Sequence, residues 1–360
     1  MSLRLLHRLA LAACLPLALS IFSAPAQAGY FDERDDVRAF IADVATRNKL
    51  DATEMTQALA KATPLPKVID LIKPPSQPGV RSWKRYRARF LDAPRISGGV
   101  QFWQTYQADL DRASNNSGVP PEIIVAIIGV ETVYGRNTGN FSALSALATL
   151  AFDYPPRAEL FRHELEELFL LAHEQHQPVD AYLGSYAGAI GLPQFLPSSL
   201  RSVAVDGDGD GIIDLRGSPR DAIYSVANFL AQQGWVRGGE IARPALITNA
   251  EIDLKPLLDA GIVPTLSADL LAQQGIASGT AKGSSKELAT LVDLVTPNEP
   301  TQYWLGYQNF YVITRYNHSS FYAMSVADLA TTLKLEMRAR QEMIRPVSLT
   351  PVVTKKSRKK

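Results

Sequence analysis

Apolar side chains recur at helical intervals over residues 32–62, with Val37, Phe40, Ile41 and Val44 in one stretch and Met55 and Leu59 in the next. That spacing predicts helices with one face turned to a core. A proline-rich break over residues 64–78 ends the pattern. Residues 80–115 are basic and aromatic, with Trp83, Tyr86, Phe90, Phe102, Trp103 and Tyr106. Residues 119–240 read as a dense helical block. It opens at Val119-Pro120-Pro121-Glu122, where proline suits a first helical turn, and closes near Gly234-Trp235. Residues 241–300 turn to short apolar runs broken by Pro, Gly and Thr, the pattern of a small β-containing insert. Aromatic and helical patterns return over 301–345. The resulting reading is a mainly α chain (α+β), with no internal repeat of fixed period.

Composition narrows the classes. The chain has 360 residues, 46% of them hydrophobic and 20% charged, which is globular rather than disordered. Its formal charge of +1 offers no basic excess for nucleic acid. No stretch after residue 28 is apolar for long enough to span a bilayer. The first 28 residues are different: Arg4 and Arg8 precede an apolar run that leads to Ala26-Gln27-Ala28 and Gly29. A basic n-region, an apolar h-region and an A-x-A site predict an export signal cleaved after Ala28. Losing Arg4 and Arg8 lowers the 37 basic residues to 35 against 36 acidic ones, net −1. The single cysteine, Cys14, sits in this segment. Leu11-Ala12-Ala13-Cys14 is also a lipobox-like run, which gives the alternative of a lipoprotein anchored to the outer membrane through Cys14. Against it, the apolar run is short before the cysteine and continues past it.

Three segments carry candidate chemistry. Residues 123–130 are Ile, Val, Ala and Gly only, and Glu131 follows at once. A carboxyl beside so apolar a helix is expected to be desolvated and its pKa raised, as a group that must protonate a glycosidic oxygen requires. The run Ser185-Tyr186-Ala187-Gly188-Ala189-Ile190-Gly191-Leu192-Pro193-Gln194-Phe195 is built from small residues with polar groups at both ends. Such a composition permits either close backbone approach to a ligand or a tight helix–helix contact. Asp206-Gly207-Asp208-Gly209-Asp210-Gly211-Ile212 matches the first half of an EF-hand loop. Carboxylates stand at positions 1, 3 and 5 and the Ile212 carbonyl at position 7, but position 12 is Gly217 where a glutamate is normal. The expected ion is Ca2+, with Na+ as the alternative, in a structural role; the competing reading is a solvated acidic turn.

Together these motifs resemble the B-type lytic murein transglycosylases of the lysozyme-like superfamily. The resemblance is carried by Val130-Glu131-Thr132-x-Tyr134-Gly135, the 185–195 run and Ser225-Val226-Ala227-Asn228-Phe229. It is carried also by Phe152-Asp153-Tyr154-Pro155-x-Arg157-Ala158, by Asn309-Phe310-Tyr311-Val312-Ile313-Thr314-Arg315-Tyr316-Asn317 and by Tyr322-Ala323. It covers roughly residues 32–345 and implies the following expectations. Glu131 is the single catalytic acid/base for the β-1,4 bond between N-acetylmuramic acid and N-acetylglucosamine, leaving 1,6-anhydro ends. Ser185 orients the substrate's acetamido group and Gln194 contacts the same sugar. Tyr86, Arg157, Asn228, Tyr311 and Tyr316 line the groove, and Asp221 joins Asp206, Asp208, Asp210 and Ile212 around the ion. No cofactor serves catalysis. Peptidoglycan strands are the partner, other cell-wall enzymes are possible further partners, and the place of action is the periplasm. Two departures stand out: Pro156 occupies a position where a second arginine is common, and Phe229 one where tyrosine is common.

The implied organisation is a signal peptide at 1–28, an N-terminal helical region at 29–110 and a lysozyme-like catalytic core with the EF-hand-like loop at 111–240. A small β-containing insert follows at 241–300, then a C-terminal part completing core and groove at 301–345, and a basic disordered tail at 346–360. His163-Glu164 begins like a zinc-protease motif but lacks its second histidine, and His173 and His176 read as helix surface. Tryptophan, tyrosine and bases between Trp83 and Arg89 suit a glycan groove better than nucleic acid in an exported chain without basic excess. The rivals to lytic cleavage are a hydrolytic muramidase and a non-catalytic peptidoglycan-binding scaffold.

Overall fold

A computed structural model describes residues 29–74, 79–249, 251–278 and 287–344. The expected signal with Cys14 and the basic tail lie outside the described residues. The chain folds first into helices α1 (Asp35–Asn48), α2 (Ala52–Lys61), α3 (Pro66–Ile72), α4 (Trp83–Arg87), α5 (Ala93–Thr105), α6 (Gln107–Ser117) and α7 (Pro121–Thr132). A two-residue strand β1 (Phe141–Ser142), helices α8 (Ala143–Asp153) and α9 (Ala158–Glu174) and strand β2 (Leu183–Gly184) follow. Next come α10 (Pro197–Val203), α11 (Pro219–Gln232), β3 (Ala242–Ile247), α12 (Lys255–Asp259), α13 (Ala268–Gln273), β4 (Ile276–Ser278), β5 (Thr290–Leu294) and β6 (Gln302–Gly306). Helices α14 (Gln308–Thr314) and α15 (Ser320–Ile344) complete the described chain. The fold is mainly α, with a lysozyme-like core and, among the described residues, two small sheets: the β1–β2 pair and a sheet of four strands.

Pro121 occupies the first turn of α7, and the helix interior is apolar on every side. A helix without a polar face must be buried all round. Accordingly α7 packs against α5, α6, α11 and α15, in a core shared with α14. A second core joins α1, α2 and α3 to α8, α9 and α10. Phe229 and Tyr316 pack against both, so they mark the junction of the two cores. The expected boundary at residue 110 falls inside α6, which belongs to the core around α7. The four-stranded sheet is antiparallel, in the order β4-β3-β6-β5. Its strand β6 pairs with both β3 and β5, so the sheet runs past the expected limit at residue 300. A small third core of Leu266, Leu271, Ile276, Leu291, Leu305 and Tyr307 lies on it.

Candidate active site

Glu131 sits one residue from the C-terminal end of α7. The helix stops because Val133 and Tyr134 both adopt left-handed backbone, at φ 51° and 59°. For a β-branched residue this is a real strain, of the kind found at functional sites. Thr132 holds the bend: its hydroxyl donates to the Leu192 carbonyl at 2.9 Å and accepts from the Gly135 amide at 3.0 Å. The Tyr134 hydroxyl donates to the Arg95 carbonyl at 2.8 Å, which fixes the turn to α5.

Three tyrosines enclose the Glu131 carboxyl. The Tyr322 hydroxyl, on the first turn of α15, donates to Glu131 Oε1 at 2.6 Å. Tyr322 is only 2% exposed and its ring stacks on Tyr316 with centroids 6.3 Å apart. Tyr316 and Tyr86 both lie within the field of Glu131, and burial together with that charge raises both phenols. Burial pushes the Glu131 carboxyl up to about 7, against the opposing pull of the Tyr322 hydrogen bond. No charged neighbour contributes to that shift. A carboxyl so placed holds its proton near neutral pH and has a donor fixed on one oxygen, leaving the other to face a substrate.

The 185–195 run is not helical. Leu183–Gly184 pairs with Phe141–Ser142, and bridges at Gly184–Ile190 and Ile190–Phe195 fold the rest into tight turns. Gly191 has positive φ, and a Cβ there would collide with the Leu215 carbonyl. The Ser185 hydroxyl oxygen accepts from the Ala187 and Ala189 amides at 3.2 and 3.1 Å, so its own proton is left to donate elsewhere. The Gln194 side-chain nitrogen donates to the carbonyls of Thr138 and Gly191 at 3.2 and 2.9 Å, which leaves its oxygen as an acceptor. Arg216 donates to the Gly139 carbonyl at 2.8 Å and to Asn140 Oδ1 at 3.0 Å. Leu192 N–H donates to the Leu215 carbonyl at 2.8 Å. The Ser185 and Gln194 turns are thereby tied both to the segment after Glu131 and to the exit of the aspartate loop.

The remaining expected groove residues are placed differently. Tyr316 donates its hydroxyl to the Pro193 carbonyl at 2.5 Å, so it braces the turn with that group. Asn228 donates its amide to the Val203 carbonyl at 2.8 Å. Arg157 is exposed and lies over the Phe161 ring at 5.2 Å. Tyr311 is half-buried under the Arg315 guanidinium at 6.0 Å. Among the described residues none of these last three has a hydrogen bond or ion pair to Glu131. In the sequence Tyr322 stands out only within the Tyr322-Ala323 motif. Its role depends on α15 returning to α7 across 191 positions, and no local signal carries that.

In the aspartate loop, carboxylate oxygens of Asp206, Asp208 and Asp210 lie within 4.8 Å of one another. Oxygen ligands at roughly 2.3–2.6 Å from one hard cation fit that spread. Asp221 lies outside that group of three. Its oxygens accept from the Gly207 amide at 2.9 Å and the Asp214 amide at 2.7 Å, so it ties the two ends of the loop together. It is 1% exposed, and burial raises its pKa. Ile212 is exposed and its amide donates to Asp210 at 2.8 Å. His163 and His173 lie on α9 and His176 just beyond it. They form no metal-ligating group among the described residues.

The family model for the transglycosylase SLT domain matches residues 32–331. The membrane-bound lytic murein transglycosylase B of Escherichia coli K12 is 40% identical over 317 residues, covering 85% of each chain. The crystal structure of soluble lytic transglycosylase SltB1 from Pseudomonas aeruginosa is 42% identical with a TM-score of 0.78, over 85% of this chain and 99% of that one. The Escherichia coli lytic transglycosylase Slt35 in complex with calcium is 38% identical with a TM-score of 0.76, over 87% and 97%.

Proposed function

The chain belongs to the SLT-domain lytic murein transglycosylases, enzymes acting on peptidoglycan, and from that premise we propose that Glu131 is its single acid/base. Protonated Glu131 gives its proton to the bridging oxygen between N-acetylmuramic acid and N-acetylglucosamine as the C1–O bond breaks. The resulting carboxylate takes the proton of the muramoyl 6-hydroxyl, whose oxygen closes onto C1. The enzyme is returned protonated, no water is consumed, and the product ends in a 1,6-anhydro ring. An ordinary retaining glycosidase supplies a second carboxylate as nucleophile. Here the substrate's acetamido group takes that part, with the free Ser185 proton donated to it and the Gln194 oxygen accepting from the same sugar.

The observation that carries this reading is the half-buried Glu131 carboxyl, raised to about 7 and held by Tyr322. Digestion of purified sacculi tests it. The muropeptides are expected to be lighter by one water than those of a hydrolase. Fully hydrated products would install the muramidase instead, and no soluble products at all would leave a binding scaffold.

The cation belongs to the same reading. We assign Asp206, Asp208 and Asp210, with the Ile212 carbonyl, to a structural Ca2+ site or a weaker Na+ site. The calcium complex of Slt35 supports it, as does the spacing of the three carboxylates. No cofactor enters the chemistry. Folded protein then binds an ion that the unfolded chain cannot organise, which adds about 2.7 kcal/mol at a hundredfold excess over Kd. Millimolar Ca2+ should raise the melting temperature of the wild type, Mg2+ less, and neither should act on Asp210→Ala. Equal melting of the wild type with chelator and with Ca2+ would leave only the acidic-turn reading. The name of the Escherichia coli relative places that protein at a membrane, and we place this chain in the periplasm after removal of residues 1–28. The mass of the mature N-terminus, starting at Gly29 or at a lipidated Cys14, separates the soluble form from the anchored one.

A further inference from the structure

Helix α4 is only five residues long, yet it carries Tyr86 into the field of Glu131. One turn of helix does not hold itself in water, because nucleation fixes several residues for a single hydrogen bond. Its first amides have no partner within the helix, and the four-stranded sheet supplies them. Trp83 N–H donates to the Val295 carbonyl at 2.8 Å, and Lys84 N–H to the Thr296 hydroxyl oxygen at 3.2 Å. Both acceptors follow directly on β5. The Ser82 hydroxyl accepts from the Arg85 amide at 3.4 Å. Two ion pairs flank the joint: Arg81 forks onto Asp293 at 3.2 Å, and Lys84 Nζ reaches Glu299 at 2.6 Å. Pairs open to solvent contribute little. Thr296 is buried, and removing its acceptor strands the Lys84 amide.

The other side of α4 rests on α15. The Phe321 ring meets Trp83 and Tyr86 edge-on, with centroids 5.5 and 5.6 Å away, and Arg87 pairs with Asp328. Between the two supports the packing is open: a cavity of about 360 Å³ lies among Trp83, Thr296, Trp304 and Met324. Close packing is what normally denies an element room to shift. Here it is incomplete, and the hydrogen bonds from the sheet fix α4 instead. Among the described residues no member of the sheet has a hydrogen bond or ion pair to Glu131. The part the sheet plays at the acid passes through α4.

We propose that the segment after β5 clamps α4 and that Thr296 is a positioning residue for the cleavage, holding Tyr86 at the wall of the groove beside Glu131. For its effect on turnover the proposal rests on the catalytic reading given above; the clamp itself does not. Thr296→Val keeps the shape of the side chain and removes the acceptor, while Thr296→Ser keeps the acceptor. Thr296→Val should lose about tenfold in kcat/KM on glycan strands, as expected for a stranded buried amide, and Thr296→Ser should recover most of the loss. A substitution that merely destabilises the protein would act alike in any background, so both are repeated on Tyr86→Ala. There Thr296→Val should cost less than about twofold more, because the side chain it positions has gone. A second arm needs no turnover and no substrate. Amide hydrogen exchange of the wild type should show Trp83 and Lys84 protected, which a lone solvated turn is not. In Thr296→Val, exchange over residues 82–87 should quicken by roughly tenfold, with α7 and α9 unchanged. A loss of activity that persists in full on Tyr86→Ala, no loss in Thr296→Val, or a serine variant no better than the valine one overturns the positioning role. Unprotected Trp83 and Lys84 amides in the wild type overturn the clamp, and that measurement stands even where Thr296→Val fails to fold. If the wild type cleaves no strand, the catalytic reading falls, and hydrogen exchange still decides whether the sheet holds α4.

Discussion

Glu131→Gln is expected to lower the rate of sacculus solubilisation by roughly 10²–10⁴-fold, the range that general acid–base catalysis contributes, with binding of glycan strands retained. The loss should lie at the upper end, because one carboxyl serves first as acid and then as base and the amide can do neither. The same substitution has a second signature. The folded pKa of about 7 lies above the ordinary 4.5, so between those values the native state holds a proton that the unfolded chain has released. The stability linked to that proton is fully present below pH 4.5 and is lost as pH rises through 7. At about 1.36 kcal/mol per pKa unit, the loss is at most about 3.4 kcal/mol. Glutamine does not titrate. Urea unfolding should therefore find the variant gaining on the wild type between pH 5 and pH 8. Turnover near wild type would remove Glu131 from the mechanism. A stability difference independent of pH would show that the carboxyl is not held protonated near neutrality.

The raised carboxyl of Glu131 was legible because its signal is local. An all-apolar stretch over 123–130 after a proline pair can only be a buried helix, and a glutamate at its end must share that burial. The aspartate loop was legible for the same reason, through alternate residues of one short segment. Asp221 was not. Sequence spacing brings it near the loop but cannot say whether its oxygens face a cation or the amides of Gly207 and Asp214. The glycine-rich run allowed two conformations on composition. Long-range pairing of Gly184 with Phe141, and the approach of Leu215 to Gly191, decide between them. The limits expected at residues 110 and 300 follow changes of composition, which do not register packing between distant elements. Helix α6 and strand β6 each belong to an assembly completed by distant partners.

Tyr322→Phe carries the second large expected effect, and it separates holding the acid from being the acid. Phenylalanine keeps the buried ring and its stacking on Tyr316, and removes only the hydroxyl that donates to Glu131 Oε1 at 2.6 Å. The phenol's own pKa is raised well above its usual value, by burial first and by Glu131 second, so it stays a donor throughout the working range. Two consequences follow. Without the donor the carboxyl loses its fixed orientation, and the second oxygen no longer points reliably at the glycosidic bond; turnover should fall by roughly tenfold or more, since acid catalysis depends on that alignment. The hydrogen bond also favours the charged carboxylate and lowers its pKa, so its loss lifts the pKa further. Under the proposed mechanism, activity needs protonated Glu131 and should decline as pH rises through about 7 in the wild type; in Tyr322→Phe the decline should begin at higher pH. The profile of kcat/KM against pH reads the free enzyme's acid directly. A slower enzyme with its alkaline limb moved upward is the result expected of a positioning donor. A slower enzyme with an unmoved limb would mean that Tyr322 acts through packing alone, and an unchanged rate would mean that the contact with Glu131 has no part in catalysis.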